Sequence, residues 1–113
     1  MIKWIPLESE AQLSTIIKRS DSETALIFKH STTCSISSMA KSRLEKAWDF
    51  TNDEITPYYL DLLQYRHISN AIAEKLSVFH ESPQVLLIKN GECVYDASHL
   101  DISVSELKSV YAD

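Results

Sequence analysis

The sequence predicts an α/β fold, a central mixed β-sheet flanked by helices on both faces, and three observations carry the prediction. Short runs rich in branched and aromatic residues alternate with segments whose apolar residues recur every three or four positions. The alternation ends in two consecutive strand-like runs joined by Asn90-Gly91, so parallel pairing through crossover helices gives way to an antiparallel hairpin. At 113 residues the chain is long enough to bury a real core and too short for a second catalytic domain, so residues 1–113 are expected to form a single domain.

The strands are read from composition. Residues 25–30, Ala-Leu-Ile-Phe-Lys-His, and residues 55–60, Ile-Thr-Pro-Tyr-Tyr-Leu, have strand character, with Pro57 at an early or irregular position. Residues 85–89 and 92–95 flank Asn90-Gly91, a pair suited to a type I′ turn. Gly91 is the chain's one glycine, and a turn of positive φ accounts for it without a phosphate-binding role. Residues 2–5 are a candidate for a further short strand.

Helices fill the intervals. The first opens at Ser9-Glu10-Ala11-Gln12, a capping-box pattern, and carries Leu13, Ile16 and Ile17 on one face. The second opens near Cys34, with Ile36, Ala40, Leu44, Ala47 and Trp48 as its inward stripe. A third starts about Tyr65 and turns Ile68, Ala71, Ile72 and Leu76 inward. The last follows the capping box Ser103-Val104-Ser105-Glu106 and buries Leu107, Val110 and Tyr111.

Composition narrows the function. Eleven basic and sixteen acidic residues give a formal charge of −5, with no Lys/Arg block to follow a phosphate backbone, so nucleic acid is not an expected partner. Neither a secretory h-region nor a membrane-length apolar run is visible, so no membrane partner is expected. Two cysteines in dissimilar surroundings make no disulfide framework, which fits a reducing cytoplasm.

The chemistry-bearing segment is Lys29-His30-Ser31-Thr32-Thr33-Cys34-Ser35-Ile36-Ser37. A strand ends at His30, a polar turn follows, and Cys34 stands where the next helix opens. First-turn amides lack intrahelical partners and the helix dipole is positive there, which favours a thiolate. A thiol titrating near 8.5 is only ~3% ionised at neutral pH, and one titrating near 6 is roughly 90% ionised. Nucleophilicity falls as ionisation becomes easier, with a Brønsted slope of about 0.4–0.5, so the net gain in attack is a few-fold. The larger benefit is as a leaving group. Thr33, Ser35 and Ser37 form the polar setting in which such a thiolate would be stabilised. A buried cysteine acting as a small hydrophobe is the alternative, and this run of hydroxyl residues argues against it.

In a dithiol enzyme the residue three after the attacking cysteine resolves the mixed disulfide; here it is Ser37, which can hydrogen-bond a thiolate but cannot form a disulfide. The expected mechanism is therefore monothiol. Ser82-Pro83 precedes the strand at 85–89 and is a candidate cis peptide bond, one that would offer the Ser82 backbone to an extended substrate.

These residues resemble the monothiol bacilliredoxins, a thioredoxin-like bacterial family that includes general stress proteins. The active-site segment around Cys34 carries the resemblance, together with Ser69-Asn70-Ala71-Ile72-Ala73, His80-Glu81-Ser82-Pro83-Gln84, Lys89-Asn90-Gly91-Glu92 and Ala97-Ser98-His99. The family commonly has proline after the cysteine, and this chain has Ser35. The resemblance implies a thioredoxin-like fold and a thiol–disulfide oxidoreductase in which Cys34 removes bacillithiol, a low-molecular-weight thiol serving as co-substrate, from oxidised (S-thiolated) client proteins. It implies that Ser82 and Pro83 form the substrate-facing wall, with no bound cofactor.

The remaining candidates are weaker. Cys93 lies in the second hairpin strand, where a packing role is expected. The histidines His30, His67, His80 and His99 lack paired ligand spacing, so no metal site is expected; His30 is a possible modulator of the thiol. Lys29 reads as a strand-surface residue. Two other functions fit the same pattern: a redox-inactive binding module, and a glutaredoxin-like iron–sulfur carrier.

Overall fold

A computed structural model describes residues 2–112. In chain order the elements are β1 (Ile5–Pro6), α1 (Glu10–Arg19), β2 (Ala25–His30), α2 (Ser35–Ala47), β3 (Thr56–Asp61), α3 (Arg66–Leu76), β4 (Gln84–Lys89), β5 (Glu92–Ser98), a 3-10 turn (His99–Asp101) and α4 (Val104–Ala112). The five strands form one sheet in the order β1-β3-β2-β4-β5. β1 and β2 pair parallel with β3, while β4 runs antiparallel to β2 and to β5.

The central strands read as continuous apolar runs because both of their faces are covered. Along β2 the side chains alternate. Leu26 and Phe28 join Val85 and Leu87 against Ala40, Leu44 and Trp48 of the α2 segment and Val104 and Leu107 of α4. Ala25 and Ile27 join Leu86, Ile88 and Leu60 against Leu13 and Ile16 of α1 and Ile68, Ala71, Ile72 and Leu76 of α3.

Local chemistry closes the elements as the sequence predicts. The Ser9 hydroxyl accepts the Gln12 amide at 3.1 Å, and the Gln12 carboxamide reaches back to the Glu8 amide at 2.9 Å. The hairpin turn has φ of 55° at Asn90 and 78° at Gly91, the two positive values a type I′ turn requires. Ser20, at the end of α1, pins that turn: its carbonyl accepts the Asn90 amide at 2.9 Å and its hydroxyl the Gly91 amide at 2.7 Å.

Two expectations about sidedness and one about a strand's extent are corrected. Ile36 is 42% exposed and Ala47 also faces outward; Ser37, fully buried, takes the inward place in the first turn of α2. The inward stripe is Ser37, Ala40, Leu44 and Trp48, one residue out of phase at its start. Lys29 does not lie on a strand surface: it is 0% exposed, because α3 covers that face of β2. The candidate strand at 2–5 forms only at Ile5–Pro6, where it pairs with Tyr58 and Tyr59.

Candidate active site

Cys34 is the N-cap of α2, with extended backbone (φ −103°, ψ 122°) and no side-chain capping bond. Its carbonyl accepts the Ser38 amide at 3.1 Å, the first turn of the helix, so the amides of Ser35, Ile36 and Ser37 lie at the helix mouth beside the thiol. The Cys34 amide donates to the Ser31 carbonyl at 3.1 Å, closing the turn that brings the thiol to this position. The residue is partly exposed and is not disulfide-bonded. Exposed apolar side chains flank it on the same helix, Ile36 at 42% and Met39 at 54%.

The residues expected around the thiol have different fates. Ser35 and Thr33 are exposed, and the Thr33 hydroxyl lies 3.5 Å from that of Ser31. Ser37 is turned inward: its Oγ accepts the Ser31 amide at 3.0 Å and lies 2.6 Å from His30 Nδ1. The hydroxyl read from the sequence as facing the thiolate is thus engaged with His30. That imidazole is buried, with its ring centre 5.6 Å from Phe28 and 5.5 Å from Tyr59. Burial, reinforced by the Lys41 ammonium, pushes His30 below the ordinary imidazole value, against the opposing pull of Asp61 and Glu45. Lys41 is itself held by Glu45 at 2.7 Å, and Glu45 also accepts the Trp4 indole N–H at 2.8 Å.

Ser82-Pro83 is a cis peptide bond. Strand register brings it to the same end of the sheet as Cys34. Lys29 pairs with Gln84 across the antiparallel β2–β4 ladder, so one step further stand His30, which leads to the thiol turn, and Pro83. The loop is clamped from two sides. The Gln84 side chain donates to the Phe79 carbonyl at 3.0 Å, and the Pro83 carbonyl accepts the His99 amide at 3.0 Å. The Ser82 hydroxyl oxygen is buried without a hydrogen-bond partner.

Behind this loop lies a polar cluster the sequence reading missed. The Lys29 ammonium is directed at the Ser69 carbonyl (3.3 Å) and His80 Nδ1 (3.4 Å), and the Ser69 hydroxyl is 3.1 Å from the same nitrogen. An ammonium has no lone pair, so Nδ1 is the acceptor and the His80 proton sits on Nε2. Burial lowers Lys29 from 10.5 to about 8, and burial together with the Lys29 and Arg66 charges pushes His80 down. The one available signal was local: a lysine inside an apolar run two residues before a polar turn.

Cys93 faces a different environment. It is paired with Ile88 in β5, its Sγ lies 3.3 Å from the Tyr95 carbonyl, and burial pushes its thiol up to about 11. It is also free of any disulfide. Among the described residues no group of three or more His, Cys, Asp or Glu is arranged to hold a metal, and no helix is long and apolar enough to cross a membrane.

Comparison with known proteins agrees with this geometry. A solved structure described as a candidate oxidoreductase with a thioredoxin fold is 37% identical, with a TM-score of 0.79 over 94% of this chain and 91% of that one. Thioredoxin from Malassezia sympodialis, 18% identical, aligns with a TM-score of 0.75 over 99% of this chain and 90% of its own. Thioredoxin from Trypanosoma brucei brucei, 14% identical, aligns with a TM-score of 0.73 over 98% and 93%. These two establish the thioredoxin fold alone. The family profile described as monothiol bacilliredoxin BrxC matches residues 5–107, nearly the whole chain. With its cysteine at the mouth of α2 and serine one turn on, the chain belongs to the monothiol bacilliredoxin family.

Proposed function

We propose that this protein is a monothiol thiol–disulfide oxidoreductase that strips bacillithiol from protein mixed disulfides through Cys34. The observation that carries the reading is the pairing of an accessible thiol at a helix mouth with Ser37, and not a second thiol, one turn further on. Family membership supports the class of reaction, and the choice of bacillithiol as the small thiol rests on the resemblance to that family.

The chemistry follows from the positions of the groups. The Cys34 thiolate attacks the bacillithiol-side sulfur of the client's mixed disulfide; the S–S bond breaks, the client cysteine leaves as thiolate, and Cys34 retains the small thiol as its own mixed disulfide. A second low-molecular-weight thiolate then attacks that small-thiol sulfur. Cys34 leaves as thiolate, and a symmetrical small disulfide is released. The helix mouth helps both halves, since its orphan amides and dipole stabilise the negative sulfur as nucleophile and as leaving group. Ile36 and Met39 give the client an apolar surface beside the thiol, and the backbone at Ser82-Pro83 offers it an edge for extended pairing.

The test is release of bacillithiol from an S-bacillithiolated client, followed by mass spectrometry in the presence of excess bacillithiol, with a glutathionylated client in parallel. The wild type and Cys93→Ala are expected to release it, and Cys34→Ala is expected to be inactive. Activity that survives in Cys34→Ala would overturn the assignment, and a preference for the glutathionylated client would overturn the choice of thiol.

A further inference from the structure

We infer that His80 is a client-recognition residue held in one tautomer by Lys29: its outward N–H and the hollow beside it form a subsite for an apolar residue of the client segment that pairs along Ser82-Pro83. The inference rests on that edge as the client's place and adds to it the chemistry of the residue seated next to it.

Two of the sequence blocks that carry the family resemblance, the one opening at Ser69 and the one opening at His80, meet in space beside the client edge. Ser69 Oγ lies 3.1 Å from His80 Nδ1, and the Lys29 ammonium lies 3.4 Å from the same nitrogen. Two donors thus converge on one lone pair. The ammonium decides how the ring is protonated, because a proton on Nδ1 would face a positive group that can only donate. With an apolar side chain in place of Lys29, the Ser69 hydroxyl could either donate to Nδ1 or accept from it, and both tautomers would be open. Burying this ammonium is costly: it is 0% exposed, and among the described residues no carboxylate lies within bonding distance. What the charge does that a methionine could not is hold His80 as a neutral imidazole with its proton on Nε2. Burial, Lys29 from β2 and Arg66 from α3 all push His80 down, against Glu81 on its own loop.

Nε2 is on the other edge of the ring from Nδ1, so its proton faces out of the cluster. His80 is an exposed residue and lines an open hollow of about 460 Å³ with Asn70, Ala73, Val78 and Phe79, the last of these 93% exposed. A fixed donor beside an apolar wall matches a carbonyl that carries an apolar side chain. Glu74 stands on the same wall and disfavours a free carboxylate, so the group recognised is a peptide carbonyl and not an acid. Continuity names the occupant. His80 is two residues before Ser82, a reach of at most about 7 Å along the chain, so a client segment lying at Ser82-Pro83 brings its next residues to this hollow.

Equilibrium disulfide exchange on Cys34 reads the subsite without turnover. The protein, on a Cys93→Ala background, is equilibrated with a cysteine peptide carrying leucine at the second and third positions on either side, in excess mercaptoethanol. Mass spectrometry gives the ratio of peptide adduct to mercaptoethanol adduct, and a peptide with glycines for the leucines is the reference. On the Cys93→Ala protein the leucine peptide is expected to exceed the glycine peptide about tenfold, the effect of partly burying one leucine. Lys29→Met and His80→Phe are each expected to lower the leucine ratio about fivefold, the loss of one hydrogen bond, and to leave the glycine ratio within about twofold. His80→Gln keeps an N–H donor near the place of Nε2 and is expected to stay within about twofold of the parent ratio. Equal ratios for the two peptides, a leucine ratio unmoved in Lys29→Met or His80→Phe, or a His80→Gln ratio as low as that of His80→Phe would overturn the inference. 15N-resolved imidazole spectra at pH 7 read the tautomer with no peptide present: the His80 proton is expected on Nε2 in the wild type and divided between the two nitrogens in Lys29→Met. A wild-type proton on Nδ1, or an undivided Nε2 proton in Lys29→Met, would overturn the role given to Lys29. Neither measurement uses bacillithiol, so each stands or falls separately from bacillithiol removal.

Discussion

Lys29 sets a stability cost that depends on pH in a calculable way. It is 0% exposed, has no carboxylate within bonding distance among the described residues, and is lowered by burial from 10.5 to about 8. Between these values the unfolded chain holds a proton at this site that the native protein has given up, so native stability rises with pH across the window from about 8 to about 10.5. Below it the full cost applies, roughly 3 kcal/mol at ~1.36 kcal/mol per tenfold. Integrating between pH 7 and pH 10 leaves a gain of about 2–3 kcal/mol attributable to this one group. Lys29→Met keeps an unbranched side chain one atom shorter, removes the charge and removes that dependence. Urea unfolding of both proteins at pH 7, 8, 9 and 10 measures it as a difference, in which the tyrosines common to both cancel. The wild type is expected to gain about 2–3 kcal/mol on Lys29→Met over this range. A difference that is flat in pH, or that grows in the other direction, would refute the reasoning.

Three further outcomes follow. Leu44→Ala removes a side chain 1% exposed between α2 and the sheet, and is expected to lower unfolding free energy by about 2–5 kcal/mol in urea titration. Gly91→Ala meets no neighbouring atom but must hold φ at 78°, so its cost is backbone strain alone, about 1 kcal/mol, with the rate of Cys34 alkylation unchanged. Iodoacetamide at pH 8 is expected to label Cys34 and spare Cys93, of which only about one thiol in a thousand is ionised there; peptide mapping identifies the labelled site.

Much of the scaffold was legible because its signals are local. The run at 25–30 coincides with β2, Asn90-Gly91 marks the hairpin, and Ser9 and Ser103 accept the amides of Gln12 and Glu106 as helix caps do. What sequence could not place were contacts between distant residues. Lys29 reads as a surface lysine until α3 and the loop before β4 bring Ser69 and His80, forty and fifty-one residues away, onto its ammonium. At the start of α2 each residue turns the face by about 100°, so choosing Ile36 over Ser37 as the inward residue reverses the first turn. Once Ser37 is inside, its hydroxyl meets His30, seven residues earlier, and the partner expected for the thiolate becomes the partner of an imidazole. The site was legible as a list of residues, and its wiring was not.

The same wiring explains how a monothiol site differs from a dithiol site built on this fold. Where a second cysteine would stand ready to resolve the mixed disulfide, Ser37 ties the Ser31–Cys34 turn to β2 through His30. A mixed disulfide formed at Cys34 would therefore have no thiol one turn along α2 to displace it, and Cys93, on β5 with its thiol pushed up by burial, would be a poor substitute.

The most direct test of that central claim is to locate the small thiol after a single turnover. Reduced protein is mixed with one equivalent of an S-bacillithiolated client in the absence of free thiol, quenched with acid and mapped by mass spectrometry. One bacillithiol per chain on Cys34, persisting until free thiol is added, is the predicted result. A Cys34–Cys93 disulfide with the small thiol released, or an adduct on Cys93, would contradict it.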